Sequence, residues 1–222
     1  MIEREQISVK AQAFFEDLWK QGDPWEFKTS DFERDKYARQ FAILQGRRYA
    51  RALEIGCGNG CFTRLLAGIA DRTVALDISP TAIEQARTAA GGVGAVDFRA
   101  ANIMDYDPHA ESPWDLVVMS ETVCYLGWLY SLFDVAWLAS ELFRGTCAGG
   151  RLLMANTCGG VEDYLLRPSI IRTYRDLFLN IGYHIEVEEI FHGTKNGVDI
   201  EVLISLFAKA PVKEAPCVAG IA

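Results

Sequence analysis

The 222-residue chain has no apolar run of the roughly 18 residues that a membrane-spanning helix requires. Its opening stretch, MIEREQISVK, is charged and without the apolar core of a secretory leader, so a cytoplasmic protein is expected. Basic residues are in deficit: 22 Lys and Arg stand against 30 Asp and Glu, for a net charge of -8. That balance disfavours a nucleic-acid partner, which needs a cationic face to neutralise phosphates. Histidine is scarce, with 3 in the chain, and none of the 6 cysteines forms a CxxC pair or stands at ligand spacing from a histidine. No metal site is expected on that pattern. With 50% hydrophobic residues the core has no need of disulfides, so free thiols are expected.

What the chain does have is alternation. The length fits one globular domain, taken as residues 1–210, with a small-residue tail over 211–222 expected to fray. Val9, Ala13, Phe14 and Leu18 recur at helical spacing, and Ser30 with Glu33 reads as the capping box of a second helix carrying Phe32, Ala38, Phe41 and Leu44. From residue 50 the pattern turns to strand and helix. Strands are expected at Arg51–Ile55, Thr73–Ile78, Val96–Ala100, Trp114–Ser120 and Gly150–Asn156. Helices are expected at Cys61–Ala70, from Pro80 to the Gly91-Gly92 stop, at Leu129–Arg144 and at Ser169–Asn180. Two last strands, His184–Phe191 and Asp199–Ala208, flank Asn196-Gly197, a strong hairpin signal. Such an order implies a mainly parallel sheet with one antiparallel strand.

The stretch ALEIGCGNG places Gly56, Gly58 and Gly60 directly after the first strand. A phosphate-binding P-loop would continue Gly-Lys-Ser/Thr, whereas Gly60 is followed by Cys61 and Phe62. A dinucleotide fingerprint would put its third glycine at Cys61, so that reading is weakened and stays as an alternative, a nicotinamide-dependent oxidoreductase. Glu54 precedes the turn, and Asp77 ends the next strand about twenty residues on, where an acid can hold both ribose hydroxyls. A glycine turn without phosphate-binding cations, followed by a ribose-binding acid, suits an adenosine ligand without phosphates: S-adenosylmethionine.

Those residues, with D-I-S after the second strand and DLVVMSE at the fourth, resemble the class I S-adenosylmethionine-dependent methyltransferases. DPWEF, Glu33, Lys36-Tyr37, RRYARALEIGCGNG, LDISPTAIEQAR and WDLVVMSETVCYL are similar, more closely, to the nodulation protein S type of N-methyltransferase, over roughly residues 23–160. The resemblance implies a Rossmann-like α/β fold with a mainly parallel seven-stranded sheet, a C-terminal antiparallel hairpin and helices on both faces. It implies a cofactor pocket formed by Glu54, Gly56, Cys57, Gly58, Gly60, Asp77, Ile78, Asn102, Ile103 and Ser120. Trp25 and Tyr37 would close it from an N-terminal helical lid over residues 1–45, and Glu121 and Tyr125 would face the acceptor. Cys57 has no basic neighbour to make it a nucleophile and would serve through its backbone. The expected reaction is methylation, on N or O, of an amino sugar, an oligosaccharide or a glycosylated metabolite, with S-adenosylhomocysteine as product. Trp25, Tyr125 and Trp128 are the aromatics available to a sugar. A monomer or homodimer acting on a small molecule is expected, without membrane or nucleic-acid partners. A non-catalytic S-adenosylmethionine-binding module is the other alternative.

Overall fold

The computed structural model describes residues 4–92 and 94–211; the tail expected beyond residue 210 lies outside them apart from Pro211. Two helices, α1 (Arg4–Lys20) and α2 (Asp31–Leu44), precede an alternation of β1 (Tyr49–Ile55), α3 (Cys61–Leu66), β2 (Ala70–Asp77), α4 (Pro80–Ala90) and β3 (Val96–Ala100). Then come β4 (Trp114–Ser120), α5 (Val123–Leu129), α6 (Leu132–Gly145), β5 (Thr146–Gly159), α7 (Pro168–Ile181), β6 (His184–Lys195) and β7 (Val198–Ala208). The strands form one sheet in the order β3-β2-β1-β4-β5-β7-β6. The pairs among β1 to β5 are parallel, and β7 runs antiparallel to both neighbours. The reversal comes from the hairpin turn, where Asn196 and Gly197 sit at φ 52° and 78°, the two positive values a tight primed turn demands.

Successive strand residues point to opposite faces, so each central strand feeds two cores. Leu53, Val117, Met119, Leu152, Met154 and Phe207 pack on the side of α5, α6 and α7. Ala52, Leu116, Val118, Leu153, Ala155 and Ile204 pack on the other face with Phe32, Phe62 and Leu66. Burial on both faces explains why WDLVVMS is nearly continuous in its apolar residues.

Four expectations are corrected. The long helix over Leu129–Arg144 is two helices, because Ser131 and Asp134 form a reciprocal capping box that starts α6 afresh at Leu132. The helix after the glycine turn ends at Leu66, four residues early. In α1 the buried positions are Ala11, Phe15 and Trp19, whereas Val9 and Phe14 are exposed. Both stripes have helical spacing, and the choice between them is made by what α1 lies against. In α2, Ser30 accepts from the Glu33 N–H as a cap should, but the Glu33 carboxylate turns inward to Lys36 and Lys195 instead of returning to Ser30, and Ala38 is exposed.

Candidate active site

In an open parallel sheet the ligand crevice lies beyond the strand carboxyl ends, where neighbouring strands diverge to opposite helices. Here that point lies between β1 and β4, and a cavity of about 300 Å³ opens there. Gly56 and Gly58 line it at φ 77° and 53°. At Gly56 a Cβ would meet the Thr122 hydroxyl at 2.5 Å, and at Gly58 it would press on Trp19 at 3.1 Å and Phe27 at 3.2 Å. Both the backbone angle and the space therefore require glycine. The turn is braced from below: the N–H groups of Gly56 and Cys57 both donate to the Leu76 carbonyl, at 2.8 and 2.9 Å.

Asp77 is 8% exposed and faces the cavity. Its carboxylate accepts from the Gly58 and Ser79 N–H groups, each at 2.9 Å. Burial raises its pKa to about 6 despite those bonds. Ile78, Asn102, Ile103 and Ser120 line the same space. The Asn102 amide is engaged inside the protein, donating to Tyr130 at 2.6 Å and to Ser8 at 3.1 Å and accepting from the Met104 N–H at 3.0 Å. Ser120 ends β4 with a buried hydroxyl that has no protein partner.

Three expected pocket residues do not reach the cavity. Cys57 turns its thiol into a separate core with Ile83, Ala86 and Phe98. Gly60 faces Ala86 and Phe98. Glu54 points away from the crevice because strand residues alternate: Ile55, its neighbour, takes the cavity side. Buried at 3% exposure, the Glu54 carboxyl is pushed up to about 8, by burial first and by the Asp77 charge in addition. A carboxyl with a raised pKa binds its proton more tightly in the folded chain, so its stabilising contribution is complete below about pH 4.5 and is lost as the pH rises through about 8. Glu54→Gln is expected to flatten the fall in Tm across that window. Melting curves of the two proteins that run parallel from pH 5 to 8 would show that Glu54 does not titrate this way.

Glu121 follows β4 in a left-handed conformation, φ 53°, which brings its carboxylate to the cavity. It accepts from Lys36 Nζ at 3.2 Å, from the Thr157 N–H at 2.9 Å and hydroxyl at 3.0 Å, and from Asn156 at 3.5 Å. Lys36 is 2% exposed and also pairs with Glu33 at 2.6 Å. Burial by itself would lower the Lys36 pKa, but Glu121 and Glu33 together outweigh it and hold the ammonium above its ordinary value. Glu33 in turn binds Lys195 at 2.9 Å, and Lys195 donates to the Trp25 carbonyl at 2.7 Å. This chain of alternating charges ties α2, the β4 end and the β6–β7 hairpin together. Glu121 stands out in the sequence as the acid after the fourth strand, whereas Lys36, Thr157 and Lys195 carry no role there. The signal available was a lysine three residues after Glu33 on an otherwise inward-facing helix stripe.

Tyr37 and Trp25 both line the cavity. Burial, and then the nearby Glu33, keep the Tyr37 phenol well above its usual range. Trp25 stacks on Phe27 at 5.7 Å and lies 6.3 Å from Tyr125, which meets Phe15 edge-on at 5.2 Å. Helix α1 spans this aromatic cluster, anchored where Glu16 accepts from the Ser79 and Thr81 hydroxyls, each at 2.6 Å. The five cysteines among the described residues are unpaired, and no described helix is long and apolar enough to cross a membrane.

The strand order and the glycine turn beneath this cavity define a Rossmann-like fold of the class I methyltransferase type. The N-methyltransferase NodS from Bradyrhizobium japonicum, solved with S-adenosylhomocysteine, superposes with a TM-score of 0.73 at 20% identity, over 90% of this chain and 98% of that one. The model of the nodulation protein S family matches residues 10–134, and the chain belongs to that family. Nodulation protein S of Bradyrhizobium diazoefficiens is 35% identical over 107 residues, 47% of this chain and 49% of the relative. That of Rhizobium tropici is 29% identical over 136 residues, 60% and 55%. The chain thus spans about half the length of the curated relatives it matches.

Proposed function

We propose that this protein is a methyltransferase that uses S-adenosylmethionine to methylate an amine on a small molecule. The observation that carries the proposal is the convergence of the Gly56–Gly58 turn, the Asp77 carboxylate and Glu121 on one cavity. The residues fit the cofactor: backbone without Cβ for close approach, a buried acid for the ribose, and aromatic faces and a carboxylate beside the place of a sulfonium. When bound, S-adenosylmethionine supplies an activated methyl group and a good leaving group.

In this reading Gly56 and Gly58 admit the ligand, Asp77 holds the ribose, and Ile78 and Ile103 pack on the adenine. Asn102 meets the adenine only by exchanging a bond it makes to Tyr130 or Ser8. Ser120 offers its unpartnered hydroxyl. Trp25 and Tyr37 belong to a lid formed by residues 4–44, and the aromatic cluster keeps water from the reacting atoms. Glu121, already accepting from four donors, orients the acceptor nitrogen and stabilises the charge that develops on it. Tyr125 forms the opposite wall. Amino sugars, oligosaccharides and glycosylated metabolites are the acceptors that the family resemblance suggests testing. Trp128, 41% exposed, meets Phe14 edge-on at 5.3 Å outside the cavity lining, whereas Trp25 and Tyr125 pack on one another within it.

Calorimetric titration with S-adenosylhomocysteine and NAD tests the cofactor, with binding of the first and none of the second expected. Methyl transfer from labelled S-adenosylmethionine to an amine panel tests the reaction. Glu121→Gln is expected to lower kcat about 10- to 100-fold, the worth of one preorganised electrostatic contact, with little change in S-adenosylhomocysteine affinity. Full turnover with an unaltered pH profile would remove Glu121 from the mechanism.

A further inference from the structure

On the β3 side of the cavity, across β1 and β2 from Glu121, three side chains from distant segments hold one another. Asn102 accepts from the Met104 N–H at 3.0 Å, which fixes its Oδ1. Its Nδ2 then donates both hydrogens, to Tyr130 at 2.6 Å and to Ser8 at 3.1 Å. The Tyr130 and Ser8 hydroxyls also meet each other at 3.2 Å, where either could donate. Each hydroxyl brings one hydrogen of its own, and the contact between them uses one of the two. The other has no acceptor among the described residues. Tyr130 is 5% exposed and lines the cavity, whereas Ser8 does not line it. A buried donor settles where an acceptor can reach it. With Ser8 donating to Tyr130, the free O–H is the phenol's and is open to whatever fills the cavity.

From this count we infer that the Tyr130 hydroxyl, and not Asn102, reads the base of the cofactor by donating to N1 of adenine, with Asn102 as its positioning residue. The inference rests on the methyltransferase reading and deepens it. In that reading Asp77, at the end of β2, holds the ribose, and Glu121, after β4, marks the reacting end. With the strands ordered β3-β2-β1-β4, the base extends from the ribose to the β3 side. The ring edge remote from the ribose then faces Asn102 and Tyr130, which line that side. On this edge adenine carries a bare N1, an acceptor, beside its 6-amino group. A phenol whose oxygen already accepts from Asn102 and Ser8 is left to donate, so it matches N1 and opposes the N1–H of a 6-oxo purine. Asn102 keeps its three bonds and aims the phenol by holding its oxygen. Asn102→Asp would instead present a carboxylate to both hydroxyls, which accepts their hydrogens and leaves none for the base.

The test titrates the full chain with S-adenosylhomocysteine, its 1-deaza analogue, which has C–H in place of N1, and S-inosylhomocysteine, by calorimetry. The unaltered protein is expected to bind S-adenosylhomocysteine about tenfold more tightly than either analogue, a factor that corresponds to about 1.4 kcal/mol. Tyr130→Phe is expected to weaken S-adenosylhomocysteine by a similar factor and to leave the 1-deaza analogue unchanged, so that the two bind alike. In Asn102→Asp the same two ligands are also expected to bind alike. A general loosening of the fold would weaken both and leave their ratio where it was, so the ratio separates recognition from structure. A 1-deaza analogue that binds the unaltered protein as tightly as S-adenosylhomocysteine would overturn the inference without recourse to any variant. So would a ratio that Tyr130→Phe does not move, and a ratio that persists in Asn102→Asp would remove Asn102 as the positioning residue. Each of these outcomes leaves the cofactor reading standing. Failure of the unaltered protein to bind S-adenosylhomocysteine would instead overturn the methyltransferase reading beneath it.

Discussion

Asp77→Ala is expected to weaken S-adenosylhomocysteine binding by about two orders of magnitude, a loss of about 3 kcal/mol. Two effects combine. The ribose hydroxyls lose a charged acceptor, and hydrogen bonds to charged groups are worth about 1.5–3 kcal/mol each. The Gly58 and Ser79 N–H groups, each held at 2.9 Å, also lose their buried acceptor, so the turn that must approach the ligand is no longer fixed. Asp77→Asn keeps one carbonyl oxygen for these groups and should fall between the two. Calorimetric titration measures both variants, and thermal melting separates lost affinity from lost fold. Unchanged affinity in a folded Asp77→Ala protein would falsify the ribose role.

The second large effect is on stability. Lys36→Met is expected to cost about 3–5 kcal/mol, because it removes one partner of a buried ion pair and leaves the charge of the other uncompensated. Glu33 and Glu121, with side chains 5% and 19% exposed, would then face each other across the space the ammonium filled. For a chain of this length such a loss corresponds to a Tm lower by about 10 °C. Adding Glu121→Gln to Lys36→Met should recover part of the loss, since the second change removes one of the stranded charges. A single variant that melts within 2 °C of the parent, on the order of 1 kcal/mol or less, would mean that water already compensates these charges.

The glycine turn, Asp77 and the parallel strand pattern could be read without coordinates because each depends on local chemistry. A turn at positive φ selects glycine, and a strand buried on two faces selects a continuous apolar run. The Asn196-Gly197 hairpin is legible for the same reason, and it carries the reversal of β7 with it. Local chemistry does not decide between two equally good local solutions. Both stripes of α1 have helical period, and only the aromatic cluster of Trp25, Phe27 and Tyr125 beneath it selects Phe15 and Trp19 over Val9 and Phe14. Likewise, Ser131 followed by Asp134 is a capping signal inside an apolar periodicity, and the cap prevailed.

Membership of the site divides along the same line. Glu54, Cys57 and Gly60 lie beside true cavity residues in the chain, yet strand alternation and the turn direct them into the protein. Lys36, Thr157 and Lys195 come from three distant segments and meet at Glu121 and Glu33. By itself, then, the sequence determined the order of elements, the turn that fits an adenosine ligand and the acid that faces it. Only the tertiary structure decided which charges neutralise one another at the acceptor end. Ion pairing depends on separations of a few ångströms between residues 85 and 162 positions apart in the chain, for Lys36–Glu121 and Glu33–Lys195, and no local pattern encodes those distances.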